Sequence, residues 1–526
     1  MHKFPAVGVG LRLFASGAVA LASIGAQAQE NPKGEAAGGP INIGSRRELF
    51  VDDFLIEKRE GVELRLHSPT PREIVMVKDS PWEGVGGCTY TVFRDGDRYR
   101  MYYDTFLTAN EDGTNIQMGN FFMCYAESKD GVHWTKPELN LVAFNGSKKN
   151  NILLQGNYDT SVFKDSNPAC RPGEEYKMVQ GDMGKGLFAY KSTDGIAWTP
   201  LGDKPIIAVK PGIPMFDTQN ITFWDPIRKQ YWAYFRGYAS GHRDIFFATS
   251  PDYVTWTQGE WLKWVDSAPT TNRDQLYTIQ VLPYPRAPHI FVGFPARYVE
   301  RGWYPSNLAS LPDPEHRKNR MNREKGGIGE PRLGKALTDC LFMTSRDGQS
   351  FHRWDETFIR PGIERKNNWV YGDAFLNWGL VETPSDDPVA PPEFSFYTSE
   401  DYWKKPLRVR RYTMRIDGFA SLHAPLKKGV VLTKPLIFAG NVLKLNFSTS
   451  ASGSIRIEIL DGDGKRIPGY AMNDCCDLFG DTLERAVTWN NTDVSQLTGK
   501  PVRLRIEMND ADLFALQFTD TVESKK

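Results

Sequence analysis

The amino-acid sequence predicts an all-β protein: a five-bladed β-propeller followed by a small C-terminal β-sandwich. Three observations predict it. A Ser-x-Asp-Gly-x-x-Trp motif recurs along the chain, aromatic residues, glycine and proline are abundant, and the sequence changes to clean two-residue alternation after Leu422.

The motif carries the most weight. Its copies are Ser128-Lys129-Asp130-Gly131-Val132-His133-Trp134, Ser192-Thr193-Asp194-Gly195-Ile196-Ala197-Trp198, Ser250-Pro251-Asp252-Tyr253-Val254-Thr255-Trp256 and Ser345-Arg346-Asp347-Gly348-Gln349-Ser350-Phe351, with a degenerate fifth at Arg415-Ile416-Asp417-Gly418-Phe419. Asp-Gly supplies the positive-φ position of a hairpin turn, and the Asp side chain accepts from nearby backbone N–H groups. Alternating stretches such as Phe122–Glu127 run into each copy, and further hairpins lie upstream, as at Tyr90–Tyr103. About four strands per unit, repeating every roughly 60 to 95 residues, fit propeller blades between residues 48 and 422. An array of sandwiches also fits four-stranded units.

The bulk composition agrees. With 14 Trp, 21 Tyr, 30 Phe, 47 Gly and 34 Pro, the chain suits short strands and tight turns. At 526 residues it exceeds one compact core. Past Leu422, Val442–Phe447, Ser454–Ile459 and Val502–Glu507 alternate as half-buried antiparallel strands, which predicts a sandwich over 423–526. Lys plus Arg and Asp plus Glu both total 64, so the basic surplus of a nucleic-acid binder is missing.

The N-terminus reads as a signal peptide over 1–28: Lys3 and Arg12 supply charge, Leu13–Ile24 is apolar, and Ala26-Gln27-Ala28 fits a cleavage site. A linker at 29–47 follows. The apolar run is too short to span a bilayer, so the expectation is a secreted or periplasmic protein with no membrane span. The six cysteines show no disulfide framework or zinc spacing, and no cofactor fingerprint, P-loop, HExxH or GxSxG motif occurs, so neither metal nor cofactor is expected.

What remains is carboxylates on a β scaffold. A propeller's innermost strands line its axis, so acids where those strands begin share one funnel. Reading each blade there gives Glu83, Asp165, Asp217, Asp274 and Asp373. Glycoside hydrolysis needs such a carboxyl pair across the scissile bond. Trp82, Tyr90, Tyr277, Trp369 and Tyr371 offer aromatic faces for a pyranose, and Arg243 offers a clamp. The segment 297–337 breaks the rhythm, with nine Lys or Arg against five acids, and reads as either a solvated excursion or a lid over an anionic sugar.

The chain resembles the clan of five-bladed propeller glycosidases that includes the invertase and levanase family and the arabinanase and xylosidase family. Over residues 48–420 the likeness is carried by scattered short motifs. Phe163-Lys164-Asp165 is similar to the clan's Arg-Asp-Pro motif, Asp217 lies where the clan has its Glu general acid, and Val92–Tyr103 resembles the strand pair after its blade-one Asp. The resemblance implies that Asp165 holds substrate hydroxyls and that Asp217 stands in the general acid's place; the reading of the funnel acids as a glycosidase site adds Glu83 or Asp373 as nucleophile or base. This chain departs at the blade-one Asp, where it reads Gly86-Gly87-Cys88, and carries Asp in place of the clan's Glu. Two readings stay open: a secreted glycosidase acting on a poly- or oligosaccharide, and a propeller that binds carbohydrate without cutting it. Carboxyl groups facing an open pocket favour the first, and acids tied up in strand-end hydrogen bonds favour the second.

Overall fold

Hairpin-forming turns set out the chain as a succession of antiparallel sheets. The computed structural model describes residues 39–109, 116–156, 159–239, 241–265, 275–300, 305–321, 331–490 and 492–520. The segment read as a signal peptide and most of the linker lie outside the described residues.

Nearly all regular structure is β. Sheet I holds Tyr90–Asp95, Arg98–Ala109, Ile116–Ser128 and Ile152–Gln155 in that order. Sheet II holds Ser161–Lys164, Tyr176–Asp182 and Gly186–Ser192, with Thr199–Pro200 at its edge. Sheet III holds Ile221–Asp225, Gln230–Ala239, His242–Ser250 and Glu260–Trp261. Sheet IV runs Leu282–Tyr284, Ala287–Gly293, Met343–Ser345 and Ser350–Arg353, with Lys263–Trp264 added in parallel. Sheet V runs Val381–Thr383, Glu393–Glu400 and Leu407–Arg415. Its outer strand is Thr70–Lys78, from before sheet I, so the chain's beginning closes its last repeat.

The four full motif copies make one turn. Ser128 Oγ accepts from Gly131 N at 2.9 Å, and Asp130 Oδ1 accepts from Val132 N and His133 N at 2.8 Å. Asp194, Asp252 and Asp347 repeat the pattern, each accepting from the two N–H groups that follow the turn. Neighbouring sheets lock onto these turns: Tyr397 OH of sheet V donates to Gly131 O at 2.6 Å, Tyr102 OH of sheet I to Gly195 O at 3.0 Å, and Tyr234 OH of sheet III to Gly348 O at 2.7 Å. The degenerate copy differs. Asp417 holds no such turn and is buried among Arg47, Tyr284 and Asn446.

The first strands, with the residues leading into them, converge. Val92 N bonds Trp378 O and Trp378 N bonds Tyr90 O. Ser161 Oγ bonds Asn220 O, Gln219 Nε2 bonds Thr160 O, Gln280 Nε2 bonds Gln219 Oε1, and Trp378 Nε1 bonds Val281 O. All five sheets therefore meet along one line, which has an entry end before the first strands and an exit end after them.

A ten-stranded sheet takes up the C-terminal part, built on two long strands, Val442–Asp461 and Val502–Thr519. It also recruits Ile41–Gly44, Glu48–Leu49, Ile56–Glu60 and Glu63–Leu66. Residues 41–66 thus leave the linker and first repeat to which the sequence assigns them. The physical reason is burial: Ile41, Ile43, Phe50, Leu55 and Ile56 share one hydrophobic core with Leu445, Ile457, Leu504 and Phe518.

The segment 297–337 is ordered where it is described. It forms α1 (Pro305–Ser310), α2 (Pro314–Met321) and α3 (Pro331–Lys335) between strands Ala296–Val299 and Leu337–Cys340. No apolar stripe announces α2, because it docks through guanidinium groups. Arg317 Nη2 donates to Trp369 O at 2.5 Å, and Arg320 donates to Tyr371 O at 2.9 Å and to Tyr402 O. Helix α2 is therefore docked and is not a solvated excursion.

Candidate functional site

The two ends of the line differ in chemistry. The exit end opens on a cavity of about 470 Å³ lined by Phe93, Phe163, Trp224, Pro283, Trp378 and their neighbours, with no carboxylate among them. The entry end gathers the acids.

Asp104 anchors the entry end. Tyr90 pairs with Tyr103, so Asp104 stands across from Thr89, and Thr89 Oγ1 donates to Asp104 Oδ2 at 2.6 Å. Thr160 Oγ1 donates to Asp104 Oδ1 at 3.1 Å. The Thr89 hydroxyl also lies 3.3 Å from Asp159 Oδ1, which puts the two carboxylates within about 6 Å of each other. Asp217 follows at the start of sheet III, its carboxylate half-exposed and paired with the buried Arg236 guanidinium. Arg236 in turn lies 4.3 Å from the Tyr277 ring centre, and Tyr371 OH donates to Tyr277 OH at 2.7 Å.

Backbone strain marks the same end. Asp159, Phe216, Thr218, Gln280, Trp369 and Ala374 all have positive φ, and for β-branched Thr218 the value is 102°. Such conformations cost energy in a non-glycine residue and persist where packing over-determines them, commonly at sites of function. Gly181 helps to hold one of them, since a Cβ there would lie 2.1 Å from Phe216 O.

The electrostatics follow from this crowding. Burial raises Asp159 well above the usual carboxylate range, and the charges of Asp104 and Asp217 push it the same way. Burial also raises Asp104, against the hydrogen bonds from Thr89 and Thr160. The Asp104–Asp159 pair therefore holds a proton more tightly than isolated carboxylates do.

The other sequence candidates separate. Asp217, Tyr277, Tyr371 and Arg243 come together at the entry end, with Arg243 5.3 Å from the Tyr277 ring centre. Asp373 is buried behind them, accepting from Val370 N at 3.0 Å, and burial pushes it up to about 7. The Trp369 indole donates to Gly362 O. Glu83 is buried behind sheet I, where Tyr103 OH, Lys136 Nζ and Ser80 N take up both its oxygens at 2.6 to 2.8 Å. Trp82 donates to Asn151 Oδ1 and packs against Phe144, and Tyr90 is buried with its hydroxyl on Ser399. Asp165 stands at the opposite end of the line, because it follows Ser161–Lys164 instead of preceding it. At about 3.3 Å per residue, that strand sets it about 16 Å along from Thr160. There Lys177 Nζ at 2.5 Å and Tyr231 OH at 2.7 Å hold it. Asp274 lies outside the described residues.

The sequence reading passed over Asp104 and Asp159. One signal was present: Asp159-Thr160 and Asp217-Thr218 are the same dipeptide, each just ahead of a first strand. Asp104 gives no such signal, being an acid within a long strand. Among the described residues no group of three His, Cys, Asp or Glu side chains is placed to hold a metal ion. All six cysteines are free.

No family model matches the chain. Two uncharacterized proteins of Mycobacterium tuberculosis, from strains CDC 1551 and H37Rv, are 31% identical over 127 residues, which is 23% of this chain and 36% of each relative. The match thus spans little more than a third of the length of these curated relatives. Among solved structures, a thermostable family-43 glycoside hydrolase is similar at 11% identity and TM-score 0.40, covering 65% of this chain and 95% of its own. An N-acetylgalactosamine deacetylase from F. plautii is similar at 13% and 0.39, covering 68% and 96%. A fructofuranosidase from Schwanniomyces occidentalis is similar at 11% and 0.37, covering 85% and 98%. Among the described residues no helix is long and apolar enough to cross a membrane.

Proposed function

We propose that sheets I to V are the blades of a five-bladed β-propeller closed by Thr70–Lys78, that the ten-stranded sheet is a β-sandwich, and that the protein is an exported glycoside hydrolase. Its funnel is the entry end. The observation that carries this reading is the Asp104–Asp159–Asp217 cluster, in which burial and then neighbouring charge raise one carboxyl while another is half-exposed and paired with Arg236. Glycoside hydrolysis uses that division: an acid protonates the departing oxygen as the C–O bond breaks, and a carboxylate takes the proton of the attacking water. Asp159 takes the first role and Asp217 the second, with Asp104 stabilising the proton on Asp159. Asp165 and Glu83, both fully engaged elsewhere, are structural in this scheme.

A panel of polysaccharides and aryl glycosides, assayed for released reducing ends, tests the reading. Asp159→Asn lowers turnover of unactivated glycans by about 10²- to 10⁴-fold and spares substrates with a dinitrophenyl leaving group, which need no acid. Asp217→Asn loses both. Wild-type rates in either variant remove that residue from the chemistry. Glycan binding with no turnover by the intact protein supports the alternative of a carbohydrate-binding propeller, a reading favoured by the deep burial of Asp104 behind two threonines.

A further inference from the structure

Beside the carboxylates lies an arginine, Arg243, that makes no ion pair among the described residues. Arg236 and Arg243 lie on neighbouring strands of sheet III, Gln230–Ala239 and His242–Ser250, with Tyr277 against both guanidinium groups at 4.3 and 5.3 Å. Their company differs. Arg236 is buried and paired with Asp217. Arg243 is half-buried, 4.5 Å from the Tyr298 ring centre and 5.6 Å from that of Tyr238, which is itself 40% exposed. Its Nη1 donates at 2.6 Å to a neutral partner, the Gln275 side-chain oxygen, and it makes no ion pair with a described carboxylate.

Two described acids that adjoin Arg243 and Tyr298 are occupied. Asp244 follows Arg243 on the same strand, so its side chain leaves by the other face, where it accepts from the Trp264 indole. Glu300 accepts from Tyr298 OH at 2.8 Å. Arg332 of α3 hydrogen-bonds Tyr298 as well, which adds a third positive charge to the same aromatic wall. A planar guanidinium laid on tyrosine faces, partly out of water, presents its remaining N–H fork to an oxyanion.

We propose that the glycan is anionic, and that Arg243 receives a sugar carboxylate or a sulfate ester next to Asp217. This names the substrate class of the hydrolase site and rests on that reading for its place. The test is binding of the intact protein to a glycan array in which neutral, carboxylated and sulfated forms of each backbone are matched, followed by turnover of the bound members. The expected result is preference for the carboxylated or the sulfated form, the two arms telling which. Arg243→Gln weakens those ligands by about 10- to 100-fold and their neutral counterparts by a smaller factor, and Arg243→Lys recovers only part because it lacks the fork. Where Arg243→Gln melts early, salt serves instead: wild-type affinity for the anionic forms falls with NaCl while that for the neutral forms holds. Equal binding of matched forms, equal losses in the variant, or no binding to any glycan overturns the proposal. Preference without turnover removes hydrolysis and leaves the anion site standing; turnover of neutral glycans without preference does the reverse.

Discussion

At the scale of single residues, the entry end depends on protons that burial retains. If Asp159 is the acid, the basic limb of the pH–rate profile lies above the ordinary carboxylate range, because the limb follows the acid's raised value. A basic limb near pH 4 assigns the proton elsewhere. Asp373 gives a stability counterpart. Its folded value of about 7 exceeds its unfolded one, so the folded chain binds its proton more tightly. That contribution is complete below about pH 4 and is lost as pH rises to about 7, by at most about 1.4 kcal/mol per pH unit. Asp373→Asn stays neutral, so its melting temperature relative to wild type should climb between pH 5 and pH 8; a flat difference refutes the assignment. These residues were unevenly legible. Asp217 was readable because it leads into a strand, whereas Asp104 is one acid inside a twelve-residue strand and owes its place to cross-strand register with Thr89. Asp165 misled because a short acid motif reads alike before and after a strand, and only the hydrogen-bond ladder tells which end it occupies.

At the scale of elements, the Asp-Gly turns tie neighbouring sheets together as well as ending strands. Tyr234→Phe leaves the Gly348 carbonyl without its buried donor and should cost about 1 to 2 kcal/mol, read as a lower urea midpoint with unchanged slope. Gly131→Ala should cost more. The residue sits at φ 78°, and a Cβ there would lie 2.7 Å from Thr383 Cγ2 on sheet V. A Gly131→Ala midpoint above that of Tyr234→Phe sinks this ranking. The turns were legible in sequence because their chemistry is local, a Ser and an Asp bonding N–H groups within three residues. The tyrosine donors were not, since Tyr397 reaches Gly131 across 266 positions. Helix α2 was illegible for another reason: hydrophobic periodicity is the usual helix signal, and this helix buries arginines.

At the scale of the whole molecule, residues 41–78 join the two halves through strand pairing on both sides. Their first strands complete the C-terminal sheet, and their last, Thr70–Lys78, completes sheet V. Neither half can therefore be cut free at a single point near Leu422. The degenerate fifth motif copy lies at this junction. Asp417 has no exposed side-chain surface and accepts from Arg47 Nη1 at 2.9 Å and Asn446 Nδ2 at 3.0 Å, with Arg286 3.3 Å away and Tyr284 OH on its other oxygen. It is an Asp-Gly turn diverted from closing a hairpin to joining two sheets. Asp417→Ala takes away the buried partner of Arg47 and leaves it only the half-exposed Glu484, so the cost should approach without exceeding that of a broken buried pair, about 3 to 5 kcal/mol. If the halves are coupled as described, calorimetry of the wild type shows one transition, and in Asp417→Ala that transition moves down as a whole. Two separated transitions in the wild type would show that the C-terminal sheet unfolds independently of the five sheets, despite the shared N-terminal strands.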